Sequence, residues 1–257
     1  MDALPRYRNI IGRWCPSAGA TGFRLIDRSG RGNHGTLTNM TASAWIAVGR
    51  QRALDFSGGN EIIPISGSYT YVQASVPFSV SFFANVKSFS NATYQKVCLL
   101  KSDDASNNAY EIGFSNAVGQ YDGVLVGTAN SYARLRTQTS ASVLQSGMAH
   151  YCVTYNGLGS STATNFRAFR NGVELTLTSA GAFSATTNTS SISLNAGNNV
   201  LNSQLDDLTI WNVCLTDSEI QKIYQLGRGF GVYSQFDYDE TRSTVNRLRR
   251  VLLTTGA

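Results

Sequence analysis

The feature that most constrains the fold is a succession of short segments rich in β-branched and aromatic residues. Each segment is bounded by Gly, Asn, Ser or Asp, the residues that favour turns. The clearest segments lie at residues 78–86, 95–100, 110–114, 123–127, 132–137 and 150–155. Because no helical pattern separates them, they predict antiparallel strands of a sandwich or barrel rather than a parallel sheet with crossover helices.

One hairpin is predicted in detail from the segment FRAFRNGVELTL. Asn171 and Gly172 both tolerate the positive φ angles of a type I′ turn, which joins two strands through two residues. Residues 166–170 are therefore predicted to pair with residues 173–177.

One short helix is predicted near the end of the strand-rich region. Thr216 and Glu219 have the spacing of a capping box, in which each side chain satisfies a free backbone N–H of the other residue. Gly227 stands where a helix commonly ends. The apolar face of this helix comprises Ile220, Ile223 and Tyr224.

The composition excludes several other classes. Only 14% of the residues are charged, too few for a helical bundle or coiled coil, and 42% are hydrophobic, too many for a disordered chain. Arginine outnumbers lysine seventeen to four, which favours fixed, bidentate contacts with partners. There is no basic base-reading helix and no aromatic RNA-binding motif, so we expect no specific nucleic-acid partner.

The first residues bear on localisation. Residues 1–22 contain no apolar run long enough for a signal peptide, and no later segment approaches the roughly 18 apolar residues of a membrane span. We therefore expect no membrane insertion and synthesis without a signal peptide. Work on a virion or an extracellular surface would then require lysis, a non-standard export route or assembly into a particle.

Cys15, Cys98, Cys152 and Cys214 are far apart in the sequence, and no histidine cluster accompanies them. This spacing excludes the usual zinc and redox motifs. We interpret the four residues as buried thiols that behave as small hydrophobic side chains. A Cys15–Cys214 disulfide is the alternative, if the first and last strands are neighbours.

Four segments, in this order, resemble a known family. They are Trp14 followed by LIDRSGRGNHGTLTNM (residues 25–40), ALDFSGGNEIIPI (53–65), HYCVTYNG through FRAFRNGVEL (150–175) and LDDLTIWNVCLTDSEIQKIYQLG (205–227). The chain is similar in these segments to laminin-G-like domains of the concanavalin-A-like lectin and glucanase group, of the kind found in phage and environmental bacterial proteins. The resemblance implies an all-β fold class, an antiparallel β-sandwich jelly roll with one short C-terminal helix.

The resemblance also divides the chain into three parts. Residues 1–13 are a basic N-terminal arm, residues 14–227 the jelly-roll domain, and residues 228–257 an extension that is first aromatic and then basic. The last part of the extension has apolar residues at helical spacing. It is therefore either a frayed tail or a short amphipathic helix that docks on a partner.

In such jelly rolls a calcium ion often ties the opening loop to the closing strand. By resemblance the ligands here are Asp27, Asn33 and Asp206, which supply the oxygen donors that Ca²⁺ prefers. The alternative is that Asp27 only shapes a turn and Asp206 caps a strand end. Ser57 and Glu61 replace Asp-like positions of the relatives, so the resemblance does not extend to a second calcium ion.

Catalysis is not expected. Glycosidases of this fold usually place carboxylates at alternate positions of one strand, so that both face the same side. No glutamate of this chain has an acidic neighbour two residues away on a plausible strand. The glutamates are Glu61, Glu111, Glu174, Glu219 and Glu240. The chain also lacks the serine nucleophile motif that would make His34 or His150 part of a triad.

Sugar binding is predicted at the rim loops, where an aromatic ring can stack on a sugar. The candidate residues are Tyr69, Tyr71, Tyr110 and Tyr121. An ordinary tyrosine in a solvated loop is the alternative at each position.

The positive charge lies at the two ends of the chain. Residues 1–52 carry a net charge of +6 and residues 228–257 a net charge of +2, against −3 for residues 53–227. If the first and last strands are neighbours, both ends form one attachment face for virion proteins or sister subunits. Its residues are Arg6, Arg8, Arg13, Arg242, Arg247, Arg249 and Arg250.

These features predict a non-catalytic surface module. We expect a phage-like virion structural, decoration or tail-associated protein with a lectin-like fold that binds glycans or a host surface. The alternatives are the carbohydrate-binding domain of a bacterial lectin or adhesin and, less favoured, a glycoside hydrolase.

Overall fold

The structure is a computed structural model, which describes residues 9–49, 51–65, 76–88, 94–102, 109–117, 121–128, 134–137, 147–158, 164–179, 189–194 and 201–227. In chain order its strands are β1 (Ile10–Trp14), β2 (Arg24–Leu25), β3 (Gly35–Thr36), β4 (Trp45–Val48), β5 (Gln51–Ser57), β6 (Ile63–Ile65), β7 (Phe78–Val86), β8 (Tyr94–Ser102), β9 (Ala109–Ala117), β10 (Tyr121–Thr128), β11 (Arg134–Thr137), β12 (Ala149–Tyr155), β13 (Phe166–Arg170), β14 (Val173–Leu175), β15 (Leu177–Ser179), β16 (Thr189–Leu194) and β17 (Asn202–Trp211). A helix, α1, covers residues 217–227, and short 3-10 turns lie at Pro16–Ala18 and Ala42–Ala44.

The strands form two antiparallel sheets. The eight-stranded sheet has the order β14-β13-β12-β7-β17-β5-β4, with β1 also paired to β17. The nine-stranded sheet has the order β15-β11-β10-β9-β8-β16-β6-β3-β2. One continuous cluster of buried residues draws on both sheets. The predicted antiparallel β-sandwich is therefore confirmed.

Aromatic side chains fill the space between the sheets. The ring of Phe78 on β7 lies 5.2 Å from that of Tyr110 on β9, and Phe82 lies 5.9 Å from Phe114, measured between ring centroids. All four side chains are buried. Tertiary packing of this kind fixes which face of each strand is inward, because successive strand residues point to opposite sides.

The predicted hairpin is present. Asn171 and Gly172 have φ angles of 51° and 78°, and Arg170 pairs with Val173. The expected pairing up to residue 177 is too long, since β14 ends at Leu175. Leu177 instead pairs with Thr137 of the other sheet, because its apolar side chain packs against the core between the sheets.

The predicted helix is also present, and its capping box is formed. The backbone N–H of Thr216 donates to Glu219 Oε2 at 2.8 Å, and the backbone N–H of Glu219 donates to Thr216 Oγ1 at 3.4 Å. Ile220 and Ile223 are buried in a second apolar cluster with Trp211. This cluster lies on the side of the eight-stranded sheet that faces away from the nine-stranded sheet, so α1 covers that side.

Candidate functional site

The opening loop is organised around Asp27, the first predicted metal ligand. Its Oδ1 accepts hydrogen bonds from the backbone N–H groups of Arg13, at 2.9 Å, and Ser29, at 2.8 Å. Its Oδ2 accepts from Ser29 Oγ, at 2.8 Å, and from the backbone N–H of Asn33, at 2.9 Å. The backbone of Asp27 also donates to His34 Nδ1 at 3.0 Å. One carboxylate thus fixes the loop and joins it to β1.

The closing strand β17 carries two adjacent buried carboxylates. Asp207 is paired with Arg13 on β1, with 3.0 Å between Nε and Oδ1. Asp206, the third predicted metal ligand, accepts a hydrogen bond from the backbone N–H of Ser17 at 2.9 Å. Burial, and next the charge of Asp207, raise the pKa of Asp206 to about 7. The two carboxylates therefore hold β1 and the turn that follows it against β17.

These contacts do not fit a calcium ion at Asp27. A carboxylate offers about four lone-pair positions, and four donors already occupy those of Asp27. The Asn33 side-chain amide donates to Ile11 O at 2.8 Å, and its backbone carbonyl accepts from Trp14 Nε1 at 2.7 Å. The described ranges contain no group of three or more His, Cys, Asp or Glu suited to a metal ion. The contacts instead favour the alternative in which Asp27 shapes the turn.

The predicted sugar-stacking tyrosines have different outcomes. Tyr110 is a wrong prediction, because its side chain is 1% exposed and packs against Phe78 and Phe166 in the core. Tyr121 is the first residue of β10. Tyr69 and Tyr71 lie outside the described residues.

Arg13 does not belong to the predicted attachment face. Arg13 is only 2% exposed and is bound to Asp207, so it offers no charge to a partner. Its position inside β1, beside β17, is what buries it. The remaining predicted arginines lie outside the described residues. They are Arg6, Arg8, Arg242, Arg247, Arg249 and Arg250.

All four cysteines are free thiols, so Cys15 and Cys214 are not joined. Cys15, Cys98 and Cys152 are buried as predicted, whereas Cys214 is exposed. Cys214 falls after the last strand and before α1, where the chain crosses the surface. The interpretation of four buried thiols is therefore wrong at this one position.

Several other carboxylates have contacts that explain them structurally. Glu61 accepts hydrogen bonds from the backbone N–H groups of Ser57 and Gly59. Glu174 and Asp217 both bind the guanidinium of Arg167, each with its nearest N···O distance at 2.7 Å. In these positions the carboxylates tie a loop, the hairpin and α1 to their surroundings.

The pairing within the nine-stranded sheet aligns four strands that the sequence did not bring together. Tyr110, Ile112 and Phe114 of β9 face the core, so Glu111 and Gly113 occupy the opposite side of the strand, where both are also buried. Pairing extends these two positions across four strands. The resulting rows are Lys96–Gly113–Leu125–Arg136 and Leu99–Glu111–Gly127–Arg134.

The sequence predicted these strands as separate segments, among them residues 95–100 and 132–137. What the sequence did not supply is the order β8-β9-β10-β11, which brings these strands together.

The family follows from comparison with known proteins. The profile of the concanavalin A-like lectin/glucanases superfamily (Laminin_G_3) matches residues 57–221. The chain belongs to this family. The predicted resemblance is thus confirmed, although the match begins after the opening segment at residues 25–40. Pairing of β1 with β17 joins that opening region to the same domain.

Solved structures of the same fold are distant in sequence. Domain 4 of AbnA, an extracellular arabinanase from Geobacillus stearothermophilus, solved in complex with arabinotriose, has a TM-score of 0.60 at 16% identity, covering 83% of this chain and 97% of that domain. The botulinum neurotoxin serotype D binding domain has a TM-score of 0.60 at 13% identity, covering 85% and 52%. Trypanosoma rangeli sialidase has a TM-score of 0.58 at 14% identity, covering 89% and 34%.

The chain spans only about a third of the length of the sialidase. No curated protein matches it significantly in sequence. Among the described residues, no helix has the length and apolar character needed to cross a membrane.

Proposed function

We propose that the chain is a non-catalytic carbohydrate-binding module. The observation that carries this proposal is that five carboxylates of the described residues are engaged in scaffold contacts. Asp27, Glu61, Glu174, Asp207 and Asp217 are each held by backbone or arginine donors. A glycosidase of the common type requires two carboxylates that flank one glycosidic bond. Carboxylates engaged in folding contacts are poor candidates for that task.

The similarity to the arabinanase domain supports the proposed carbohydrate binding. That domain is similar over 97% of its length and was solved in complex with arabinotriose. It is therefore a comparable unit, whereas only 34% of the sialidase is covered. A fold alone does not determine a ligand, so the sugar has to be found by experiment.

The test combines binding with a search for hydrolysis. The purified chain is applied to an array of immobilised glycans, and each glycan that binds is then incubated with it and assayed for new reducing ends. The proposal expects binding without release of reducing sugar. Binding to no glycan contradicts the proposed module, and release of reducing ends contradicts its non-catalytic character.

A second proposal concerns attachment to a particle such as a virion. It is supported by the backbone N–H of Asn212, which donates to the carbonyl of Asn9 at 2.9 Å. Residue 9, the last residue before β1, therefore lies beside the segment that leads into α1. Residue 227 ends α1, and the eleven residues of this helix span about 16 Å at 1.5 Å per residue. We propose that the two basic ends of the chain attach from this part of the domain.

Deletion of residues 242–257 tests this attachment. The expected result is a folded domain that no longer assembles with its partner, since the deletion removes four arginines and a possible docking helix. Attachment of the full chain should also weaken with added salt. Normal assembly of the truncated chain would show that the extension is not the anchor.

A further inference from the structure

A cleft opens where the chain of the β13–β14 hairpin passes from one sheet to the other. The pairing of β13 with β14 ends at Ala168 and Leu175. Two residues further on, Leu177 pairs with Thr137 of β11, in the nine-stranded sheet. The chain after β14 therefore turns away from β13, and a cleft of about 570 Å³ lies between them. Small-molecule sites in proteins have volumes of about 300–1,000 Å³, so this cleft has room for a ligand.

The walls of this cleft, which we call the hairpin cleft, carry polar and apolar side chains that are open to solvent. The charged side chains are accessible, since Glu174 is 48% exposed and Arg167 36% exposed. The lining residues that are exposed or half-buried are Thr164, Arg167, Glu174, Leu175, Thr176 and Leu177. A ligand can therefore reach them from the surface.

Arg167 holds the carboxylate of Glu174 in one orientation. Its Nε and Nη2 donate to the two oxygens of Glu174, each at 2.7 Å, and its Nη1 and Nη2 donate to Asp217 at 2.7 and 3.0 Å. The hydrogen bonds from Arg167 lower the pKa of both carboxyl groups, so both are ionised at neutral pH. A carboxylate has about four acceptor positions. Two of those of Glu174 therefore stay open to a ligand in the cleft.

The neighbours of this carboxylate suit the other groups of a sugar. Thr164 lies just before β13, and Thr176 lies between β14 and β15. A threonine hydroxyl both donates and accepts hydrogen bonds. Leu175 and Leu177 are half-buried and pack against the core, so the parts that remain exposed form an apolar wall. A sugar has hydroxyl groups and C–H faces, and the hairpin cleft has partners for both.

The charge of the hairpin cleft disfavours acidic sugars. Arg167 is bound to two carboxylates, Glu174 and Asp217, so the three side chains together carry one net negative charge. A carboxylated or sulfated sugar would be repelled by this charge. Four of the five N–H donors of Arg167 are already in use, so its guanidinium offers little to an anion. The cleft is therefore better matched to a neutral ligand.

We propose that the hairpin cleft binds a neutral sugar unit of a glycan. Hydroxyl groups of the sugar donate to Glu174 and bond to the hydroxyl of Thr176, and its C–H face lies on the two leucines. This proposal rests on the proposed carbohydrate-binding function and names its site and ligand class. Because Glu174 is ionised, it has no proton to give to a glycosidic oxygen, as a glycosidase acid must. The site binds the sugar without cleaving it.

The experiment compares two variants of the hairpin cleft with two matched controls in the full chain. Glu174→Gln removes the charged acceptor, and Thr176→Val removes the hydroxyl while keeping the shape of the side chain. Asp55→Asn is the control for the first change, because it also removes a carboxylate from an accessible ion pair, that with Lys87. Thr36→Val is the control for the second, because Thr36 is exposed on β3, near the other end of the nine-stranded sheet.

Arabinan, galactan, xylan and dextran serve as the neutral probes, and polygalacturonate serves as the acidic probe. Calorimetry measures each affinity, and circular dichroism and thermal melting establish that each variant is folded. We expect Glu174→Gln to weaken binding of at least one neutral glycan about tenfold or more and Thr176→Val about threefold or more, with both controls within about twofold of the unchanged chain.

Nuclear magnetic resonance of the methyl groups gives a measurement that needs no variant. A neutral glycan that occupies the hairpin cleft should shift the methyl resonances of Leu175 and Leu177 but not those of Leu25, which is buried on β2.

Three results would overturn the proposal. Neutral glycans that bind without shifting either leucine, or that bind Glu174→Gln as tightly as Asp55→Asn, have their site elsewhere, and the proposed function then stands. Binding of polygalacturonate but of no neutral glycan on the array contradicts the ligand class and also leaves the proposed function standing. Binding of no glycan at all contradicts both.

Discussion

The guanidinium of Arg13 lies 3.0 Å from the carboxylate of Asp207, and both side chains are almost completely buried. Arg13 belongs to β1, and Asp207 lies 194 residues later in β17. Asp207 has a φ angle of 46°, within an irregularity of β17 between Asp206 and Thr209. Because the backbone is irregular here, the two adjacent aspartates have different partners. Asp207 binds Arg13, and Asp206 accepts from the backbone N–H of Ser17.

Removing one partner of this ion pair should be strongly destabilising. Asp207→Asn keeps a residue that tolerates positive φ but leaves the buried guanidinium without its counter-charge. We expect a loss of about 3–5 kcal/mol in the free energy of unfolding. Urea denaturation measures it, with Asp55→Asn, which breaks the partly exposed pair with Lys87, as the matched control at about 0–1 kcal/mol. Equal effects in the two variants would contradict a special role for the buried pair.

Asp206 should make stability fall as the pH rises. Its pKa is about 7 in the folded chain against an ordinary value of 3.8, so between these values the folded state holds a proton that the unfolded state has lost. Stability is therefore fully present below about pH 4 and declines up to about pH 7, by up to about 4 kcal/mol.

Asp206→Asn isolates this effect, because the amide oxygen can still accept from the backbone N–H of Ser17. We expect the variant to be more stable than the unchanged chain at pH 8 and about equally stable at pH 4. Thermal melting across this range measures the difference. A constant difference at every pH would show that Asp206 does not titrate in this window.

His150 should have the opposite pH dependence. Its side chain, on β12, is buried against the ring of Phe83, at 5.0 Å between ring centroids, with Nε2 2.8 Å from Ser81 Oγ. Burial lowers its pKa to about 3. Below the ordinary pKa of 6.5 the unfolded chain gains a proton that the folded chain does not, so stability declines as the pH falls from 6.5 towards 3. The decline between pH 6.5 and 4.5 is about 2 kcal/mol.

His150→Gln should flatten this acid limb, since glutamine does not titrate and can still reach the Ser81 hydroxyl. Denaturation of both chains at pH 4.5 and 6.5 makes the comparison. His34→Gln serves as a control for a histidine in the opening loop. An unchanged acid limb in His150→Gln would contradict the assignment.

Calcium should have no effect on the melting temperature. Four donors occupy Asp27, and a bound ion would have to displace them. We expect the same melting curve in EDTA and in millimolar Ca²⁺. A rise in the melting temperature with Ca²⁺, lost in Asp27→Asn, would support the calcium site expected from the family resemblance, because an ion that binds only the folded state stabilises it.

Local signals in the sequence predicted local structure well. The turn at Asn171 and the capping box at Thr216 each depend on a few adjacent residues, and both are formed. Trp14 and Trp211 are buried as expected. The strand β7 coincides with its predicted segment, since its apolar and β-branched residues are continuous.

The candidate sites were less predictable because they depend on pairing between distant strands. Tyr110 was predicted to lie in a rim loop because it follows a polar segment. It instead pairs with Leu100, and its ring lies in the core. Arg13 was predicted to belong to a basic arm. The structure pairs it with Asp207 of β17, a contact that the local sequence does not indicate. The order β8-β9-β10-β11 also depends on pairing that no single segment specifies.

The position of β17 has a consequence for how the chain is made. This strand, near the end of the domain in sequence, lies between β5 and β7 and also holds β1. During synthesis, the edges of β5 and β7 that pair with β17 stay unpaired until residues 202–211 have left the ribosome. Unpaired strand edges invite pairing with other chains, and long-range pairing is slow. Nascent chains that stall before residue 211 therefore expose strand edges of β5 and β7 that β17 covers in the complete chain.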